Sequence, residues 1–125
     1  MADILVVEDD AQQRYQIAVA LVRAGYQVEE ASGGNEALTR LGVRRYDLLL
    51  TDLMMDQGTG FVVLGWVQEN APGLPVLICS SYANADNLKC FLTTQFYRIV
   101  RKPLGTDELV DQVRELLAAT RSPER

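Results

Sequence analysis

The sequence predicts an α/β domain built on a doubly wound, five-stranded parallel sheet with helices on both faces. Short, almost wholly apolar runs alternate along the chain with segments of helical period, the pattern expected of a parallel sheet with crossover helices. Those runs are also too apolar to face water on either side, as strands covered by two helical layers must be. At 125 residues, 48% hydrophobic and 23% charged, the chain can bury one core without disulfides or metal staples. Residues 1–120 read as one domain and 121–125 as a polar tail.

Each element has its own signal. Ile4 to Val7 is a fully apolar first strand, followed by a helical segment carrying Tyr15, Ile17, Val19, Leu21 and Val22; Gly25 stops that helix. Tyr26 to Ala31 alternates weakly, as an edge strand does, and Ser32 is placed to cap a helix running to about Leu41. Asp47 to Thr51 is the third strand; a loop with Gly58 and Gly60 then leads to a helix from Phe61 to Glu69. After Pro72, Gly73 and Pro75 break the chain, Pro75 to Ser80 forms the fourth strand, and a helix from about Ala85 to Thr93 follows. Tyr97 to Arg101 is the fifth strand, with Arg98 and Arg101 expected to face solvent or a partner. Thr106 is placed to cap a last helix whose Leu109, Val110, Val113, Leu116 and Leu117 form one apolar stripe, with Asp107 and Glu108 at its positive dipole end.

Composition excludes several kinds of chemistry. The chain has no histidine, which removes His-based acid catalysis, Ser-His nucleophile pairs and His metal sites. Cys79 and Cys90 lack the close spacing of a redox or zinc motif and read as buried thiols. A net charge of -5 argues against direct nucleic-acid binding by this domain, because phosphate backbones require a basic face. No run is long enough to span a bilayer and no secretory signal is seen, so a cytoplasmic location without membrane contact is expected.

In open parallel sheets, ligands sit at the carboxyl ends of the strands. The first strand ends in Glu8, Asp9 and Asp10, the third in Asp52, the fourth in Ser80 and Ser81, and the fifth in Arg101, Lys102 and Pro103. Two unit charges about 4 Å apart repel by roughly 4 kcal/mol at an effective dielectric near 20, so such a cluster of carboxylates requires positive charge. Lys102 is one source, and a hard divalent cation is another; Mg2+, or Mn2+ in its place, suits a ligand set of oxygen alone. These parts can stabilise a phosphoryl group in transfer, with Asp52 as nucleophile and Ser80 and Lys102 binding phosphoryl oxygens. Asp10 lies past the acidic pair and reads as the start of the first helix.

From Ile4 to about Ala119 the pattern resembles the receiver domain of two-component response regulators. There an acidic pair ends the first strand, a phosphoacceptor Asp the third, Ser or Thr the fourth, and Lys-Pro follows the fifth; here these are Glu8 with Asp9, Asp52, Ser80, and Lys102 with Pro103. The resemblance implies the flavodoxin-like strand order 2-1-3-4-5. It also implies Mg2+ held by Glu8, Asp9, Asp52 and the Met54 carbonyl, a cis peptide between Lys102 and Pro103, and a phosphoryl donor on a sensor histidine kinase or phosphotransfer protein. Phosphorylation would then draw Ser80 inward and reshape the face made by the fourth helix, fifth strand and fifth helix, for a downstream effector or output domain to read.

Departures from that family are equally specific. Asp56 replaces a common proline, Gln95 and Phe96 replace a small Gly-Ala turn, and Ile99 stands where the conformational-switch residue is aromatic, with Tyr97 two positions earlier on the same side of the strand. Met54 and Tyr82 occupy the two positions that tune phosphoryl lifetime. Neither bears a carboxylate or amide to orient water, so slow self-dephosphorylation, over minutes or longer, is expected. A haloacid dehalogenase-type phosphatase would carry a second Asp where Met54 stands. An interaction module working without phosphorylation is the other alternative, favoured by Ile99 and Phe96 and opposed by the intact set of five site positions. A flavin or nucleotide carrier would need a phosphate-binding loop where Glu8, Asp9 and Asp10 instead repel phosphate.

Overall fold

A computed structural model describes residues 2–53, 60–80, 97–102 and 105–120. Its strands are β1 (Asp3–Val7), β2 (Gln27–Ala31), β3 (Leu48–Asp52), β4 (Val76–Ser80) and β5 (Tyr97–Arg101). Between and after them come helices α1 (Ala11–Arg23), α2 (Gly34–Val43), α3 (Gly60–Asn70) and α4 (Thr106–Thr120). All strand pairs are parallel and the order is β2-β1-β3-β4-β5. The doubly wound architecture is borne out; the helix expected over 85–93 and Cys90 lie outside the described residues.

Strand composition follows burial. β4 is buried throughout and β1 and β3 nearly so, whereas β2 at the edge keeps Gln27 and Glu30 exposed. Alternate residues of each central strand enter opposite layers. Leu5, Val7, Leu49, Val76 and Ile78 pack with Ala37 and Leu41 of α2 and Val63, Leu64 and Val67 of α3. Ile4, Val6, Leu48, Leu50, Leu77 and Cys79 pack with Leu21 of α1 and Leu109, Val113, Leu116 and Leu117 of α4. Tyr97 and Ile99 both lean on the first layer, as their spacing of two requires.

Helix ends agree in part with their sequence signals. Asp10 caps α1, its side chain accepting from the amides of Gln12 and Gln13. Gly25, at φ 101°, terminates it in the left-handed region that a side chain disfavours. Ser32 is not the cap of α2. Gly33 is, without a side-chain bond, and Ser32 instead donates its backbone N–H and hydroxyl to Glu36 Oε1, each at 2.9 Å, half of a reciprocal capping arrangement. Thr106 is the first helical residue of α4 rather than its cap. Asp47 precedes β3 and accepts from the Asp3 amide at 2.7 Å. Arg98 is not free: it donates to Gln112 at 2.8 Å and to Glu115 at 2.9 Å, tying β5 to α4.

Candidate functional site

The carboxyl ends of β1, β3, β4 and β5 lie along one edge of the sheet because all the strands are parallel, with β1 beside β3 and β4 and β5 following outward. The Glu8 amide donates to Ala31 O at 3.1 Å, carrying the acidic pair just past β1. Glu8 itself is 3% exposed, a depth at which a carboxylate requires partners. It has them in Lys102 Nζ on Oε1 at 2.8 Å and the Asp10 amide on Oε2 at 3.1 Å.

Asp52 closes β3, half-buried, with Oδ1 accepting from the Leu53 amide at 2.7 Å and Oδ2 from Lys102 Nζ at 3.0 Å. Ser80 closes β4 at 1% exposure, and its carbonyl accepts from the Lys102 amide at 2.8 Å. That backbone bond extends the pairing of β4 with β5 by one residue and sets the lysine beside the two carboxylates. Burial pulls the Lys102 ammonium towards neutrality, but hydrogen bonds and charge from Glu8 and Asp52 outweigh it, and its pKa lies above the ordinary lysine value. Burial raises the Glu8 pKa, and the lysine and the Asp10 amide offset only part of that rise. Burial also pushes the Cys79 thiol up to about 12, leaving it neutral and unreactive.

Carboxylate oxygens of Glu8, Asp9 and Asp52 lie within 4.8 Å of one another. Mg2+ takes oxygen at about 2.1 Å in octahedral geometry, so opposite ligands stand about 4.2 Å apart; small side-chain rotations would bring this set onto one ion. The residues present therefore fit a hard divalent cation.

The structure thus brings together Glu8, Asp9, Asp52 and Lys102, and puts Ser80 at the end of the neighbouring strand. Met54, Tyr82 and Pro103, and with it the Lys102–Pro103 peptide, lie outside the described residues, as do Ser81, Asp56, Gln95 and Phe96. Ile99 sits two residues inside the end of β5, half-buried. Three contributors were not anticipated. Gln13 contacts Lys102 at 3.3 Å. Arg14 donates to the Glu8 carbonyl at 2.8 Å and to Glu30 at 3.1 Å, bracing the end of β1 against that of β2. Gly60 opens α3 with its amide on Leu53 O at 2.8 Å; a Cβ there would stand 2.2 Å from the Asp52 carbonyl oxygen. For the first two, the cap at Asp10 marked only where α1 begins; the docking of that helix puts its first turn over the strand ends.

A separate cavity of about 800 Å³, lined in part by Leu41, Arg44, Tyr46, Trp66 and Leu74, lies at the opposite end of the sheet. None of the site residues lines it.

Buried Glu8, half-buried Asp52 and the Lys102 that bridges them lie along one edge of a doubly wound parallel sheet, and the chain belongs to the response regulator receiver domain family, which it matches over residues 4–114. It is 36% identical over 123 residues to the transcriptional regulatory protein ZraR of Klebsiella oxytoca, an alignment covering 98% of this chain and 28% of ZraR. To the probable transcriptional regulatory protein TcrX of Mycobacterium tuberculosis it is 29% identical, covering 94% of this chain and 50% of that one. Among solved structures, the receiver domain of Francisella response regulator 1452 superimposes with a TM-score of 0.85 at 27% identity, covering 96% of this chain and 99% of the other. The response regulator TrrA of Thermotoga maritima, in complex with Mg2+-BeF, does so with a TM-score of 0.81 at 27% identity, covering 93% and 99%. The chain spans little more than a quarter of the ZraR proteins it matches. No helix among the described residues is long and apolar enough to cross a membrane.

Proposed function

We propose that this receiver domain accepts a phosphoryl group on Asp52 from the phosphohistidine of a partner kinase or phosphotransfer protein, and that the modified domain signals to an effector or output domain. The observation that carries this reading is the Lys102 ammonium, 2.8 Å from Glu8 and 3.0 Å from Asp52, although the three residues are far apart along the chain. A lysine so placed offsets the charge of the nucleophile in the resting state and lies where a phosphoryl oxygen would arrive.

In this reading an Asp52 carboxylate oxygen attacks phosphorus as the bond from phosphorus to the donor imidazole nitrogen breaks, and that nitrogen leaves with the electron pair. The Leu53 amide on Oδ1 orients the carboxylate, Lys102 binds one phosphoryl oxygen, and the Ser80 hydroxyl donates to another. Glu8, Asp9, Asp52 and the Met54 carbonyl would hold Mg2+. When bound, the ion would offset the charge gathering on the phosphoryl oxygens. The complex of TrrA with Mg2+-BeF and the all-oxygen donor set here support that ion.

Ser80 and Ile99, with Tyr97 beside it, would carry the change to the outer face of β5. Met54 and Tyr82 would leave the acyl phosphate long-lived, and the Lys102–Pro103 peptide would be cis. The relatives are transcriptional regulators, so an output domain that binds DNA, outside this domain and in the cytoplasm, is the effector this reading favours.

The test is intact mass after incubation with acetyl phosphate and Mg2+. Wild type gains one phosphoryl group and Asp52→Asn gains none. An unchanged wild-type mass, in the presence of a receiver domain that does react, would sink the reading in favour of a module that binds its partner unmodified.

A further inference from the structure

An ammonium group has three N–H donors, and among the described residues that of Lys102 meets three acceptors. Two are carboxylates, Glu8 at 2.8 Å and Asp52 at 3.0 Å, and the third is the side-chain carbonyl of Gln13 at 3.3 Å. The orientation of that amide is determined by its surroundings. Gln13 Nε2 donates to Asp10 Oδ2 at 3.4 Å, so a carboxylate faces one end of the amide and an ammonium the other, and only the carbonyl can point at Lys102. Asp10 is itself held as the cap of α1, which anchors Gln13 to the first turn of the helix.

An ammonium with three acceptors has no further proton to offer an incoming phosphoryl oxygen unless it gives up a partner. The three acceptors are unequal. Glu8 and Asp52 hold the ammonium by short, charge-assisted bonds, roughly twice as strong as neutral ones. Gln13 is neutral, the most distant and exposed. Resting on the phosphoacceptor reading above, we infer that Gln13 is a positioning residue that holds the third proton of Lys102 in the unmodified protein and is the partner exchanged for the phosphoryl oxygen. Gln13 thereby sets how readily the lysine turns to its substrate: its bond must break on the way to the transition state, so it slows the reaction while keeping the resting ammonium in place.

The replacement Gln13→Met has nearly the same length and helix propensity and lacks the carbonyl. Two measurements separate its outcomes. In the metal-free, unmodified protein, nitrogen-15 NMR of the Lys102 side chain should show its ammonium protons exchanging with water severalfold faster than in wild type. With acetyl phosphate and Mg2+, the variant should phosphorylate faster, by roughly two- to tenfold, the range set by loss of one neutral hydrogen bond. A merely structural role would slow the reaction, so the sign decides. An equal or slower rate in a folded variant, or unchanged exchange of the ammonium protons, overturns the inference while leaving phosphorylation of Asp52 intact. A wild-type chain that gains no phosphoryl group overturns both, whatever the exchange measurement gives.

Discussion

Lys102 answers two carboxylates at once, and removing it tests both. In Lys102→Met, Glu8 and Asp52 would face each other without the ammonium, at 4% and 14% side-chain exposure. Breaking a wholly buried pair from one side costs about 3–5 kcal/mol; with the lysine 21% exposed, about 1–3 kcal/mol is expected, read as a fall in the urea midpoint at pH 7. Glu8 starts with a raised pKa, and loss of the lysine raises it further. Below that pKa the acid is neutral, so the deficit of the variant should shrink as pH falls. An unchanged midpoint at pH 7 would mean that solvent already screens the pair. Phosphorylation should fall by at least about a hundredfold, as when one preorganised electrostatic partner is lost. At this scale Glu8, Asp9, Asp52 and Lys102 were legible because each ends a recognisable strand. Gln13 and Arg14 were not, because which way a helical side chain points over a sheet depends on how the helix is docked.

At the scale of elements, the start of α3 packs closely against the end of β3. Gly60 is there because backbone atoms of Asp52 and Leu53 crowd the place where its Cβ would be, at 2.2 and 2.8 Å; its need for glycine is one of space, since only Gly25 among the described residues has positive φ. Gly60→Ala should destabilise by about 1–3 kcal/mol, the cost of overpacking against atoms that cannot rotate away, and should slow phosphorylation because Asp52 moves with its backbone. Gly65, on the same helix, has open space within 4 Å of where a methyl would stand, and alanine there should instead stabilise by about 0.5–1 kcal/mol. Urea unfolding of the two variants side by side checks both, and equal effects would contradict the packing argument. The strands themselves were legible from their apolar runs. Helix starts were less so: Ser32 and Thr106 each fell one position from the true cap, because a capping hydroxyl and a neighbouring glycine compete for the same turn.

At the scale of the whole molecule, a charged cluster at the other end of the sheet joins β1, β2 and α2. Arg44 pairs with Asp3 and Glu29, Arg40 pairs with Glu29 and Glu36, and the Tyr46 hydroxyl donates to Glu29. Burial, then the bond to Glu29, pushes the Tyr46 pKa up to about 12. The Tyr46 bond, against an opposing burial effect and with help from Arg44, lowers that of Glu29. The two shifts act at opposite ends of the pH scale. A raised tyrosine contributes stability that is present below its unfolded pKa, near 10, and lost as pH rises through about 12. A lowered glutamate contributes stability present above its unfolded value and lost as pH falls through the folded one. Tyr46→Phe should therefore cost about 0.5–1.5 kcal/mol at neutral pH, and its deficit should narrow as pH rises above 10. Chemical unfolding of both proteins at pH 7, 9 and 11 measures this, and a deficit that stays constant to pH 11 would assign the effect to packing of the ring.

The information carried by the chain's residue order was local. Runs of apolar residues recorded which segments are covered on both faces, and the identity of the residue after each run recorded what that strand end offers chemically. The strand order was legible only through resemblance to a family. Tertiary structure alone decided that the Ser80 carbonyl holds the Lys102 backbone and that one ammonium reaches residues 8, 13 and 52 together. The reason is physical: periodicity reports how much water a segment loses on folding, whereas a distance between two side chains depends on which segments become neighbours, and in what register.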